Sequence, residues 1–205
     1  MWSDKERLEL NKTLKSYEKA LKIMAAKIEV LNDSYEDKGV PNPIEHIKYR
    51  LKSPESIYKK MVIKNLPTTT QAVMENINDI AGVRIICSFA KDVYKIAESI
   101  KSQPDLKFIK ERDYIKSPKP SGYKSYHVVV ELPVYEVDEV ERLNVEVQIR
   151  TAAMDFWASL EHKVKYKYSG EVPKNLMKEL KACADKAEEL DERMYLIHEI
   201  IHLLD

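Results

Sequence analysis

The chain has 205 residues, 44% hydrophobic and 33% charged, and its 34 basic residues are balanced by 34 acidic ones. This suits one globular domain and excludes a global field that would draw the chain to DNA or an anionic membrane, so a polyanion must be held by a local cluster. Two cysteines without a CxxC argue against zinc, and four glycines without a GxGxxG or Walker A loop exclude Rossmann and P-loop nucleotide sites. No apolar run is long enough to span a bilayer, and Met1 is followed by a charged stretch rather than a secretory signal. A reducing cytoplasm is the expected location, with Cys87 and Cys183 expected in buried packing.

The order of elements begins with a helix from about Asp4 to Asp37. Leu10, Leu14, Tyr17, Leu21, Met24, Ile28, Leu31 and Tyr35 form a heptad stripe on it. Gly39 to Pro43 breaks that helix. Ser53 then caps a second one, with Pro54 at its first position. Ser56 and Lys60 share a face of this helix, and Arg50 and Lys52 lie just before it. That is either a phosphate-binding group at a helix start or a solvated charged helix. Residues 71–78 read as a helix, leading to a buried strand through Cys87 with Asp79 at its mouth. Asp79 alone could be no more than a turn residue. A helix from Ala90 to Gln103 and a strand over 106–114 follow.

Ser117 to Gly122 is the most loop-like stretch, and a strand is expected from Tyr123 to Leu132. A regular strand would put Tyr123, Ser125 and His127 on one face, as a base-stacking platform or as ordinary half-buried packing; Lys119 and Lys124 nearby favour a site. Pro133 to Glu141 reads as a polar connection. The next strand alternates strictly: Val145, Val147 and Ile149 on one face, Glu146, Gln148 and Arg150 on the other. A carboxylate, an amide and a guanidinium in line suit a metal or a phosphate. Thr151 can cap the following helix. Gly170 and Pro173 introduce a last helix with a second heptad stripe, Leu176, Leu180, Cys183, Ala187, Leu190, Met194, Ile197, Ile201 and Leu204. The two stripes could meet each other, the sheet or a second copy, and some oligomer contact is expected. The sum is an α/β (α+β) fold with a mixed four- to five-stranded sheet flanked by helices.

Several segments together resemble the small alarmone synthetases, single-domain relatives of the RelA/SpoT (p)ppGpp synthetases. They are Arg50-Leu51-Lys52 with Ser56 and Lys60, Asp79 to Arg84, Lys119 to His127, Glu146 to Thr151, Met154 to Ala158, Glu161-His162, and Tyr166 to Gly170. The resemblance covers essentially the whole chain. It implies one synthetase domain over 1–205: an N-terminal helix (1–40), a nucleotidyltransferase-like catalytic core (41–170) and a C-terminal helix (171–205). It implies transfer of the β,γ-diphosphate of ATP to the 3′-hydroxyl of GDP or GTP with Mg²⁺, in a homotetramer of the stringent-response type. Asp79 and Glu146 would hold the metal, Glu146 also activating the hydroxyl. Arg50 and Arg84 would sandwich adenine, with Lys52, Ser56 and Lys60 on the ATP phosphates. Tyr123 would stack on guanine, with Lys119, Lys124 and His127 along the acceptor phosphates and Gln148 and Arg150 supporting them. Asp155 would face guanine at a position where relatives often carry Asn or His. No His-Asp dipeptide is present, so synthesis without hydrolysis is expected. Two other readings stand beside this one: a degenerate module that binds guanine nucleotides or RNA, and a purely structural helical oligomer.

Overall fold

Alternating β-branched residues build the centre of the molecule. The computed structural model describes residues 2–167 and 173–204. Five strands, β1 (Ile44–Leu51), β2 (Ala81–Cys87), β3 (Lys107–Asp113), β4 (Tyr126–Tyr135) and β5 (Val140–Thr151), form one sheet. Their order is β1-β2-β5-β4-β3. The central pair, β2 and β5, is parallel and every other pair is antiparallel. Around them lie α1 (Asp4–Asp37), α2 (Pro54–Ile63), α3 (Thr70–Asn76), α4 (Ala90–Lys101), α5 (Ala152–Lys167) and α6 (Lys174–His202).

The alternation in β5 divides the sheet into two unlike faces. Val145, Val147 and Ile149 are fully buried, together with Val83 and Ile85 of β2 and Val128 and Val130 of β4. Helices α1 and α4 cover this face, and both contact β4 and β5. The α1 stripe supplies Leu10, Leu14, Tyr17, Met24 and Ile28 to the same core. Each such side chain contributes about 1.5–3 kcal/mol by leaving water. A capping box between Ser3 and Glu6 starts α1 by satisfying otherwise unpaired N–H groups.

Several expectations are corrected here. Residues 44–51, left unassigned by pattern, form edge strand β1. A register shift between Ile44 and His46 breaks its alternation, and an edge strand tolerates exposed polar residues on both sides. Pro133 does not begin a connection: β4 runs through it to Tyr135, and the turn is confined to 136–139. Tyr123 to Ser125 precede β4 rather than opening it. The helices at 71–78 and 90–103 are shorter, ending at Asn76 and Lys101.

The second stripe is real as a period but is split: Leu180 packs beside Trp157 and Ala187 lines a cavity, while its later part lies outside. Leu190, Met194, Ile197 and Ile201 are exposed, whereas Ala184, Tyr195 and His198 on another side of α6 meet the domain. Cys183, on the same stripe, is exposed rather than packed, while Cys87 is buried and burial pushes its thiol pKa up. The motif residues Tyr168, Ser169 and Gly170 lie outside the described residues, as do the side chains of Tyr166 and Lys167.

Candidate active site

The polar face of the sheet carries the site. The register sets two lateral rows on it. One runs Arg50, Gly82, Glu146, Val129 and Lys110; the next runs Lys48, Arg84, Gln148, His127 and Arg112. Residues far apart in the chain thus become neighbours because strand side chains alternate between faces. Gly82 sits between Arg50 and Glu146, where it brings no side chain into the space between them.

Asp79 lies in the turn before β2, three positions upstream of Gly82. Its carboxylate accepts hydrogen bonds from Lys52 Nζ at 2.5 Å and Lys60 Nζ at 2.8 Å. Burial would raise its pKa, but the hydrogen bonds and charges of the two lysines outweigh that and hold it below the ordinary value. Ser53 and Pro54 start α2 so that Lys60 reaches this carboxylate from the second turn. Ser56 sits in the first turn, its backbone N–H donating to the Ser53 cap.

Glu146 is the second carboxylate. Gln148 Nε2 donates to its Oε2 at 2.8 Å, and His127 Nδ1 stands 3.4 Å from Oε1. Burial pushes Glu146 up, yet His127 and Gln148 bring it below its ordinary value, against a raising contribution from Asp79. The electrostatic effect of Asp79 on Glu146 places the carboxylates in one field. Both line the same two cavities, one on each side of them.

The first cavity, of about 310 Å³, is walled by Lys48, Tyr49, Arg50, Gly82, Arg84 and Gln148 besides the carboxylates. It meets a third cavity of about 390 Å³ at Arg50 and Arg84, which continues to Tyr123 and Arg150. Arg84 is half-buried, and its Nε makes no hydrogen bond among the described residues. A buried donor left unmade costs free energy, so a ligand acceptor there is favoured.

The second cavity, of about 200 Å³, lies beyond Glu146 and holds Lys60, Lys64, Lys110, Arg112, Tyr114 and His127. Lys110 and Arg112 were missed in the sequence. They look like any charged pair on a strand, and only the β3–β4 register puts them beside Val129 and His127. Tyr123 hydroxyl is 2.9 Å from His127 Nε2, and Arg150 lies 5.0 Å from the Tyr123 ring centre. Lys119 Nζ stands over the Tyr123 and Tyr114 rings at 4.5 and 4.8 Å.

Of the expected site residues, Lys52, Ser56, Lys119, Lys124 and Asp155 line none of these three cavities, and the last two stand apart from the carboxylates. Lys124 pairs with Glu188 of α6 and lines a separate, mostly apolar cavity against Met154, Trp157 and Ala184. Gly122 beside it is required twice over: its φ is +91°, and a Cβ would come within 2.5 Å of Ala184 Cβ. Asp155 is buried behind the arginines, bonded to Arg84 and Arg150.

For a divalent cation, the donor set is two carboxylates facing one cleft, with cationic side chains for phosphates around them. Mg²⁺ takes one or two carboxylates and completes its shell with water and phosphate oxygens, so these residues fit it. Among the described residues no cluster of three or more acidic, His or Cys ligands could bind a metal without such help.

Comparison with known proteins places the chain in a family. A family model described as the region found in RelA / SpoT proteins matches residues 49–171. The GTP pyrophosphokinase YwaC of Bacillus subtilis (strain 168) is 48% identical over 178 residues, covering 87% of this chain and 85% of its own. The crystal structure of small alarmone synthetase 1 from Bacillus subtilis bound to its product pppGpp superposes with a TM-score of 0.87 at 36% identity, covering 94% of this chain and 98% of that one. The same synthetase bound to AMPCPP gives a TM-score of 0.80 at 34% identity, covering 95% and 98%. The chain shares the fold of these synthetases and belongs to the RelA/SpoT family.

Proposed function

We propose that this chain is a (p)ppGpp synthetase: it transfers the β,γ-diphosphate of ATP to the 3′-hydroxyl of GDP or GTP, forming ppGpp or pppGpp and AMP. One observation carries the residue assignment. Asp79 and Glu146 line two adjoining cavities, one walled by Arg50 and Arg84 and the other by Lys110, Arg112 and His127. ATP lies on the arginine side. Arg50 and Arg84 take adenine between planar guanidiniums, which stack better than ammonium groups. Lys52 and Lys60 turn from Asp79 to the ATP phosphates, aided by Ser56. The acceptor reaches from the far end of the arginine cavity, where Tyr123 takes guanine, past His127, which Tyr123 contacts, with Lys119, His127, Lys110 and Arg112 along its phosphates. Gln148 and Arg150 hold Glu146 and Tyr123 in place.

The reaction forms a bond from O3′ to the β-phosphorus and breaks the bond from that phosphorus to the α,β-bridging oxygen, which leaves with AMP. Glu146 receives the hydroxyl proton. Held below its ordinary pKa, it is ionised at neutral pH but is a weak base. Asp79 and Glu146 would hold Mg²⁺, which when bound would lower the pKa of the hydroxyl and neutralise phosphate charge. The rest is positioning and charge neutralisation by the chain's own cations, as diphosphate transfer requires.

We further read the chain as a single cytoplasmic synthetase domain assembled as a homotetramer, the outer stripe of α6 forming a contact between copies. What supports this is the row of exposed Leu190, Met194, Ile197 and Ile201. Among the described residues no helix is long and apolar enough to cross a membrane.

The test of the site is Asp79→Asn, assayed for AMP release and, by calorimetry, for nucleotide binding. Transfer is expected to fall about a hundredfold or more, with GDP still bound. Near-full AMP release would sink the assignment.

A further inference from the structure

Asp155 is the acidic residue that the reaction leaves without a task. It stands in the first turn of α5, where a carboxylate is favoured by the helix dipole, and it is 8% exposed. Its Oδ1 accepts from Arg84 NH1 at 3.1 Å and from Arg150 NH1 at 3.1 Å, while Lys48 Nζ is 3.4 Å from Oδ2. Both oxygens are thus occupied, and Asp155 is not a wall of the cavities that Arg84 and Arg150 line. A direct hydrogen bond to guanine would have to reach Oδ2 from outside those cavities.

We propose that Asp155 is a positioning residue that fixes both base subsites through one shared carboxylate oxygen, holding Arg84 on the ATP side and Arg150 on the acceptor side. The inference rests on the assignment of those sides given above. Two guanidiniums converging on one point repel each other, and a carboxylate between them is the group that lets them converge. Burial and then the Arg150 charge already push the Arg84 pKa down.

The two arginines depend on this carboxylate unequally. Arg150 is also held by Ser125 Oγ at 3.2 Å, by Gln148 Oε1 at 3.0 Å and by the Tyr123 hydroxyl. Among the described residues Arg84 has one side-chain hydrogen bond, the one to Asp155. Losing Asp155 therefore frees Arg84 more than Arg150, and the ATP side loosens more than the acceptor side. The electrostatic expectation runs the other way: removing a negative charge from a polyphosphate cleft would by itself tighten both nucleotides. Position and charge predict opposite signs.

The experiment is calorimetric binding of a non-hydrolysable ATP analogue and, separately, of GDP, to the wild type, Asp155→Asn, Arg84→Ala and the double variant. Asn keeps the shape and an acceptor oxygen for one guanidinium, so the fold is retained; thermal melting checks this. Asp155→Asn should weaken the ATP analogue about tenfold and GDP about two- to threefold. In the Arg84→Ala background it should no longer affect the ATP analogue, while its effect on GDP persists. Tighter binding of both nucleotides would overturn the proposal in favour of a purely repulsive charge. So would a loss confined to GDP, or an undiminished ATP-analogue effect in the double variant. Failure of the wild type to bind either nucleotide would instead overturn the active-site reading itself.

Discussion

Strand β5 does two jobs with alternate residues. Val147 and Ile149 are buried against α1 and α4, whereas Glu146 and Gln148, one position away, form the floor of a charged cleft. The apolar face stabilises the sheet, and any volume-matched aliphatic set would serve there. The polar face works against stability, since it gathers Lys52, Lys60, Arg84 and Arg150 around few carboxylates and leaves a buried Arg84 donor without a partner among the described residues. A one-residue period thus separates what folds the molecule from what it does.

Substitutions on the two faces should separate cleanly. Glu146→Gln is expected to reduce turnover by roughly 10²–10⁴-fold in an AMP-release assay, with the melting temperature close to that of the wild type. Ile149→Ala, on the other face of the same strand, should cost about 2–5 kcal/mol in denaturant titration, while the fraction still folded keeps near-normal turnover. An Ile149 variant that stays stable but inactive would break the division.

The acid limb sharpens it further. Asp79 and Glu146 both have folded pKa values below their ordinary values of 3.8 and 4.5. Burial raises each, and for Asp79 the two lysines, for Glu146 His127 and Gln148, more than offset it. A carboxyl held lower in the folded state contributes stability that is fully present above its ordinary pKa. That contribution is lost as pH falls from there through the depressed value. Melting temperature followed from about pH 6 to pH 3 should therefore fall less steeply in Asp79→Asn than in the wild type. A steeper fall would contradict the sign.

The smallest effect on the monomer is expected at α6. The α1 stripe is inside the core and the later part of the α6 stripe, from Leu190 on, is outside, although their periods look alike in the sequence. Ile197→Lys should change folding stability by no more than about 0.5 kcal/mol while lowering the mass measured by light scattering. An unchanged mass would remove α6 from the assembly.

How much was legible follows from the same physics. Strand β5, with Glu146 in its polar row, and helix α1 stand out because period and residue chemistry agree locally, whereas Asp79 alone reads as a turn residue and Arg84 is singled out only by the family resemblance. Strand β1 was hidden by its bulge and its exposed edge. The outward turn of α6 was hidden because a period gives a stripe but not the side it faces. Lys110 and Arg112 needed the β3–β4 register. Asp155 needed a partner 71 positions away in the chain, which no local pattern supplies.

The central claim is tested most directly by incubating the protein with ATP, Mg²⁺ and either GDP or GTP, then resolving the nucleotides by anion exchange. The account predicts AMP in step with a guanosine nucleotide carrying two additional phosphates. ADP in place of AMP, or bound nucleotides with no product, would contradict it.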